Sequence, residues 1–325
     1  MTTVTLDTLL ETFSGSDAPI EERIAEFVDS VVSQASWTYG ELARGKTDKR
    51  NIKYEELDAA GKAALSESRY EEAVALFSAG AGINPNSADA YHNLGVAWLK
   101  VAEDKLFEEK LLEQHALSAP GPGSKTFLNF ARDALVIAYN RSKTVPISDG
   151  DRQKYLGSLF EAYNLLGDYD SILLEAVRLK AEEIDAPETL HLIGLAYGYA
   201  REDWKNAEKY FILAKNRSAA ENDGKPDPVY LLRLVEAYAE SGQNANASLQ
   251  LQILNAELDR LQYDSTEMKL LSYSVALSVI QSALEEGMAH GSYTSLQENT
   301  EFNALKRRID KELEKDSRKP ARRGI

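Results

Sequence analysis

A helical pattern that restarts about every 34 residues constrains this chain more than any other feature. Segment 54–87 reads YEELDAAGKAALSESRYEEAVALFSAGAGINPNS, two amphipathic helical patterns joined by a short link around Ser68–Tyr70. Leu57, Ala60, Gly61 and Ala64 recur at steps of three and four, as do Ala73, Phe77 and Gly80, and Pro85 closes the segment. Those steps put the apolar and small residues on one side of each helix. The same order returns from Ala88 with Tyr91, Leu94, Gly95 and Trp98. It returns from Gln153 with Leu156, Leu159, Tyr163, the turn Gly167-Asp168-Tyr169, Ile172 and Ala176. From Pro187 it runs through Leu190, Ile193, Gly194, Tyr197, Ala207, Phe211 and Ala214, and from Pro228 through Leu231, Leu234, Tyr238, Gly242, Ala247 and Leu251. A two-helix unit of this size cannot bury its own apolar side, so such units stack on one another.

On these residues the chain resembles the tetratricopeptide repeat family. Gly61, Tyr70, Ala73, Phe77 and Pro85 match that motif, with Leu57, Ala60, Ala64 and Gly80 as tolerable variants. The resemblance covers residues 54–259 in five copies. It implies an all-α fold, a right-handed α-α superhelix with helical N- and C-terminal caps, and a function in holding another polypeptide.

The departures from the period are specific. Repeat starts are separated by 34, 65, 34 and 41 residues. The long spacing is an insertion at about 101–128. Nothing between Asp89 and Ser118 breaks a helix, so Ala88 to Leu117 is expected as one helix of about 30 residues, ~45 Å long, unless it kinks near Ala102. The loop Ala119 to Ser124 follows, and Lys125 to Ser142 returns as its partner helix. Leu106, Phe107, Leu111 and Leu112 need a partner, either Phe127 and Phe130 on the returning helix or another protein. Residues 1–50 are expected to be a helical cap, with amphipathic stretches Leu6 to Phe13 and Ile20 to Val32. Asp264 to Gly287 opens with a capping box, Asp264 and Glu267. Its apolar residues lie on more than one side, which fits a capping helix or a homo-oligomer interface within 264–287. A last helix, about Ser295 to Lys315 within a 264–316 capping region, leads to a basic tail over 317–325 expected to be disordered.

Net charge is −15 at pH 7. Residues 305–325 hold nine Lys/Arg against four Asp/Glu, so the rest of the chain stands at −20. An acidic body of that size repels phosphate backbones and argues against nucleic-acid binding. There is no cysteine, which removes thiolate metal sites, disulfides and cysteine nucleophiles. No signal peptide or membrane span is legible, so a cytoplasmic location is expected. His92, His115, His191 and His290 have no second ligand at helical spacing. No phosphate-binding glycine loop or nucleophile elbow occurs. Catalysis, cofactors and metals are therefore not expected.

In the family, first helices line a groove that takes an extended or helical peptide. Carried over residue by residue, the groove positions are Asp58 and Lys62; His92, Asn93, Val96 and Lys100; Ser158 and Glu161; His191, Leu192, Leu195 and Tyr199; and Leu232 and Arg233. One subfamily clamps a C-terminal carboxylate with lysines, asparagines and an arginine. Asn93 and Arg233 suit that role, but Asp58 stands where the clamp has lysine and would repel a carboxylate. Leu192, Leu195, Tyr199 and Leu232 form an apolar patch suited to a partner with apolar anchors and basic flanks, such as an amphipathic helix. The same residues could instead pack on the protein's own terminal helices. The leading expectation is an adaptor, assembly factor or subunit of a complex. A chaperone for a secreted client and, more remotely, an enzyme on a helical scaffold are the alternatives.

Overall fold

The computed structural model describes residues 54–114, 123–145, 147–179, 184–263 and 267–317. The expected N-terminal cap, the Asp264 half of the capping box, the loop before Gly123 and the basic tail lie outside them. Among the described residues all regular structure is helical, which agrees with the all-α expectation. Twelve α-helices run in order: α1 Tyr54–Ser66, α2 Tyr70–Ile83, α3 Ala88–Gln114, α4 Ser124–Ser142, α5 Asp149–Leu166, α6 Tyr169–Ala176, α7 Pro187–Arg201, α8 Trp204–Glu221, α9 Pro228–Glu240, α10 Asn244–Tyr263, α11 Glu267–Ala289 and α12 Thr300–Ser317. A short 3-10 turn, Thr294–Leu296, precedes α12. No described helix is long and apolar enough to cross a membrane.

The helix ends follow from local chemistry. Ser148 starts α5 by accepting the Asp151 amide at 3.0 Å. Asp203 accepts from the Asn206 amide at 3.1 Å and Asp227 from the Val229 amide at 2.9 Å, and Pro187 and Pro228 sit in the first turns of α7 and α9, where no amide is needed. The start of α4 has no such local residue. Glu109, on α3, reaches across and accepts from the Ser124 amide at 2.8 Å and the Ser124 hydroxyl at 2.6 Å.

The chain divides into two compact units, residues 1–168 and 169–325. In the first, α1 pairs with α2 and α3 with α4, and α5 packs on α4 and α3. Gly61 lies where any Cβ would be 2.6 Å from the Phe77 ring, so the missing side chain lets α2 approach α1. The long α3 runs unbroken through all 27 described residues from Ala88 to Gln114, with no kink at Ala102. Phe127 stacks on Trp98 with centroids 5.8 Å apart, and Phe130 lies tilted against the same ring at 5.2 Å. Gly95 against Leu135 sets that register, and it leaves Phe107 66% exposed.

In the second unit α7 pairs with α8 and α9 with α10. Leu195, Ala207, Phe211, Leu234 and Ala237 make the core between them. A larger core joins Leu231, Leu251 and Leu254 to Tyr273, Leu277, Ile280 and Leu284 of α11 and to Leu305 and Ile309 of α12. The described apolar side chains of α11 are thus largely spent within this unit.

Candidate functional site

On the first unit, α1, α3 and α5 carry their expected groove residues to one connected face. Asp58 accepts from Lys62 Nζ and from Asn93 Nδ2, both at 2.7 Å, so one carboxylate ties α1 to α3. That bond to Asp58 raises the Lys62 ammonium above its ordinary pKa. His92 is 2% exposed, and its Nε2 lies 3.0 Å from the Ser158 hydroxyl on α5. Its ring tilts against Tyr155, centroids 4.7 Å apart, and the Tyr155 hydroxyl donates to Asp89 at 2.5 Å. Burial, with the nearby Lys154 charge, pushes His92 down to about 4, so it is neutral near pH 7 and a poor base toward Ser158. The pair orients α5 on α3.

Further along, Asn93, Val96 and Lys100 follow one side of α3 at steps of three and four, and each is partly exposed. Lys100 donates to Glu103 at 2.7 Å. Glu161 on α5 stays accessible, yet the protein packed around it and the Glu103 carboxylate raise its pKa above the ordinary carboxylate value. The strip from Lys62 through Asn93, Val96 and Lys100 to Glu161 is open.

On the second unit the expected groove residues also meet, but not as an open patch. Leu195 is 2% exposed, Leu232 0% and Arg233 2%. The end of α11 occupies this face. Arg233 donates to Glu236 at 2.9 Å, to the Tyr199 hydroxyl at 2.8 Å, to the Ala283 carbonyl at 3.3 Å and to Glu286 in a short ion pair. Its Nε points at His191 Nε2, 3.3 Å away. Tyr199 in turn donates to Glu236 at 2.8 Å. Burial opposes the charge on Arg233, but Glu236, Tyr199 and Glu286 more than offset it and hold its pKa well above the usual value. Burial, followed by the Arg233 charge, pushes His191 down to about 3. The His290 ring stacks flat on Tyr199 at 4.0 Å, and Tyr169 meets both edge-on.

Two details show how closely α11 is fitted. A Cβ at Gly287 would lie 2.5 Å from the Tyr293 ring and 2.8 Å from Glu236 Oε1, so only glycine allows this approach. The Tyr293 amide donates to Glu240 at 2.9 Å. Of the residues assigned to a partner by position, Leu232 and Arg233 therefore meet the chain's own α11, and Tyr199 stacks on His290 just beyond it. Leu195 and Leu192 pack with Phe211 and Leu234, and the carboxylates Arg233 holds are Glu236 and Glu286. Of the residues completing this network, Glu236 and Glu240 share the helix register of Leu232 and Arg233. Glu286, Gly287 and His290 carried no sequence signal, because their partners lie on helices far away in the chain.

Compared with known proteins, the sequence matches no protein-family model. No curated protein matches it significantly either.

Proposed function

We propose that these hairpins are tetratricopeptide-type repeats and that the chain is an interaction protein, an adaptor or assembly factor, holding a partner polypeptide on the α1, α3 and α5 face. Three small first-helix residues seated against a second-helix side chain support the repeat reading: Gly61 on Phe77, Gly95 on Leu135 and Gly194 on Phe211. The observation that carries the binding reading is the contrast between the two inner faces. One is closed by α11 around Arg233, and the other presents Lys62, Asn93, Val96, Lys100 and Glu161 to solvent.

This shifts the expected partner. With Leu195 and Leu232 buried, apolar anchoring no longer dominates. Asn93 offers amide hydrogen bonding, Val96 one apolar contact, and Glu161 an exposed carboxyl that can pair with a basic side chain. A polar, extended segment with a basic residue fits this strip. The test is photo-crosslinking in cells from a benzophenone side chain at Val96, with exposed Asn216 on α8 as control. A protein adduct is expected from Val96, absent from Asn216 and reduced by Asn93→Ala with Glu161→Lys. No adduct from Val96, or equal adducts from both positions, refutes the reading.

A further inference from the structure

We propose that the outward face of α10, from Ala245 to Ala256, is a contact surface for a second copy of this chain. The stretch Ser241 to Ala256 contains no charged residue in a chain that is 27% charged. A comparable uncharged stretch on α2 is explained by burial, since Ala73 to Ala81 are all buried. That explanation does not serve α10. There Ala247, Leu251, Leu254 and Leu258 face the core, while Ala245, Asn246, Leu249, Gln252, Ile253 and Ala256 are exposed. At 100° per residue the exposed set gathers on the side opposite the core. Leu249 and Ile253, one turn apart, are 53% and 41% exposed. One flank of α10 is already occupied by α12, through Asn299 to Ser248 at 2.9 Å and Arg308 to Asp259 at 2.7 Å. The outward side is left uncovered among the described residues.

Charge selects the occupant. At −15, two copies brought together through ordinary surface would set carboxylates against carboxylates. An uncharged strip is where an acidic chain meets its copy without that repulsion, whereas a basic partner is drawn to acidic surface. The exposed amides of Asn244, Asn246 and Gln252 both donate and accept, so the strip can pair with itself about a two-fold axis. An antiparallel crossing then sets Leu249 of one copy against Ile253 of the other. One helix per copy buries less than the ~1,200 Å² of stable complexes, so the dimer is weak.

The test is analytical ultracentrifugation of the full chain from about 5 to 500 µM, a range that brackets the affinity of small interfaces. The wild type is expected to pass from monomer to dimer by mass action. The L249E/I253E double variant should have a dimer dissociation constant raised about tenfold or more, with unchanged circular dichroism because both side chains are at the surface. The chain has no cysteine, so I253C carries a single thiol. Under oxidation it should give far more disulfide-linked dimer than N216C. A wild type monomeric throughout the range, a double variant that dimerises like the wild type, or equal crosslinking of I253C and N216C overturns the proposal.

Discussion

Replacing Arg233 by methionine tests whether the face around α11 is held by one arginine. The side chain keeps comparable bulk, so the main loss is the charge and its hydrogen bonds to Glu236, Tyr199, Ala283 and Glu286. Glu236 is 0% exposed and has no water to turn to, and Glu286 lies close by. Removing one partner of a buried pair leaves an uncompensated charge and costs about 3–5 kcal/mol. For a unit of this size that is a fall in Tm of roughly 6–20 °C. The pH dependence carries the sharper signature. In R233M the Glu236 carboxyl prefers its neutral form, so its folded pKa rises above the unfolded value of about 4.3. A group raised in the fold stabilises below its unfolded pKa and loses that contribution as pH rises. The deficit of R233M is therefore largest near neutral pH and closes toward about pH 4. Urea denaturation at both pH values measures it, and R233M/E236Q should recover part of the loss at neutral pH. A deficit below about 1 kcal/mol at neutral pH, or one equal at both pH values, refutes the reasoning.

Two further outcomes follow from the same packing. His92 is held at about 4 in the fold against about 6.5 when unfolded, so the unfolded chain binds the extra proton between those values. Its contribution is complete above about pH 6.5 and is lost as pH falls toward 4, at up to ~1.4 kcal/mol per pH unit. His92→Gln, which can still hydrogen-bond to Ser158, should flatten that acid limb by about one proton, and an unchanged slope in pH-dependent denaturation counts against it. A Cβ at residue 194 would lie 2.4 Å from the buried Phe211 ring, so Gly194→Ala should cost about 1–3 kcal/mol of overpacking, only partly offset by ~1 kcal/mol of helix propensity. With Phe211→Leu in place, the same alanine should be near neutral or stabilising. Simple additivity of the two changes would show that the ring contact does not limit the approach.

The helices and their order were legible because they depend on near neighbours in the chain. Three- and four-residue steps, Ser148, Asp203 and Asp227 at helix starts, and prolines in first turns are local signals. The contact of Asn93 with Asp58 was also within reach, since the two are one repeat apart and occupy related register positions. The Glu109 cap on α4 was not, because it is supplied by another helix across a loop. Nor was the exposure of Phe107, which depends on the register that Gly95 sets against Leu135.

By itself, then, the sequence determined the helical class and the order of the helices. Tertiary structure alone decided that the face of α1, α3 and α5 and the face around Arg233 have different fates. Arg233 and Glu286 stand 53 positions apart with no periodicity to join them, and Gly287 matters only because Tyr293 and Glu236 converge on it. Periodicity says which side of a helix is turned inward. Whether that side meets solvent or another helix depends on where distant parts of the chain come to rest, and here α11 closes one face while Lys62, Asn93, Val96, Lys100 and Glu161 leave the other open.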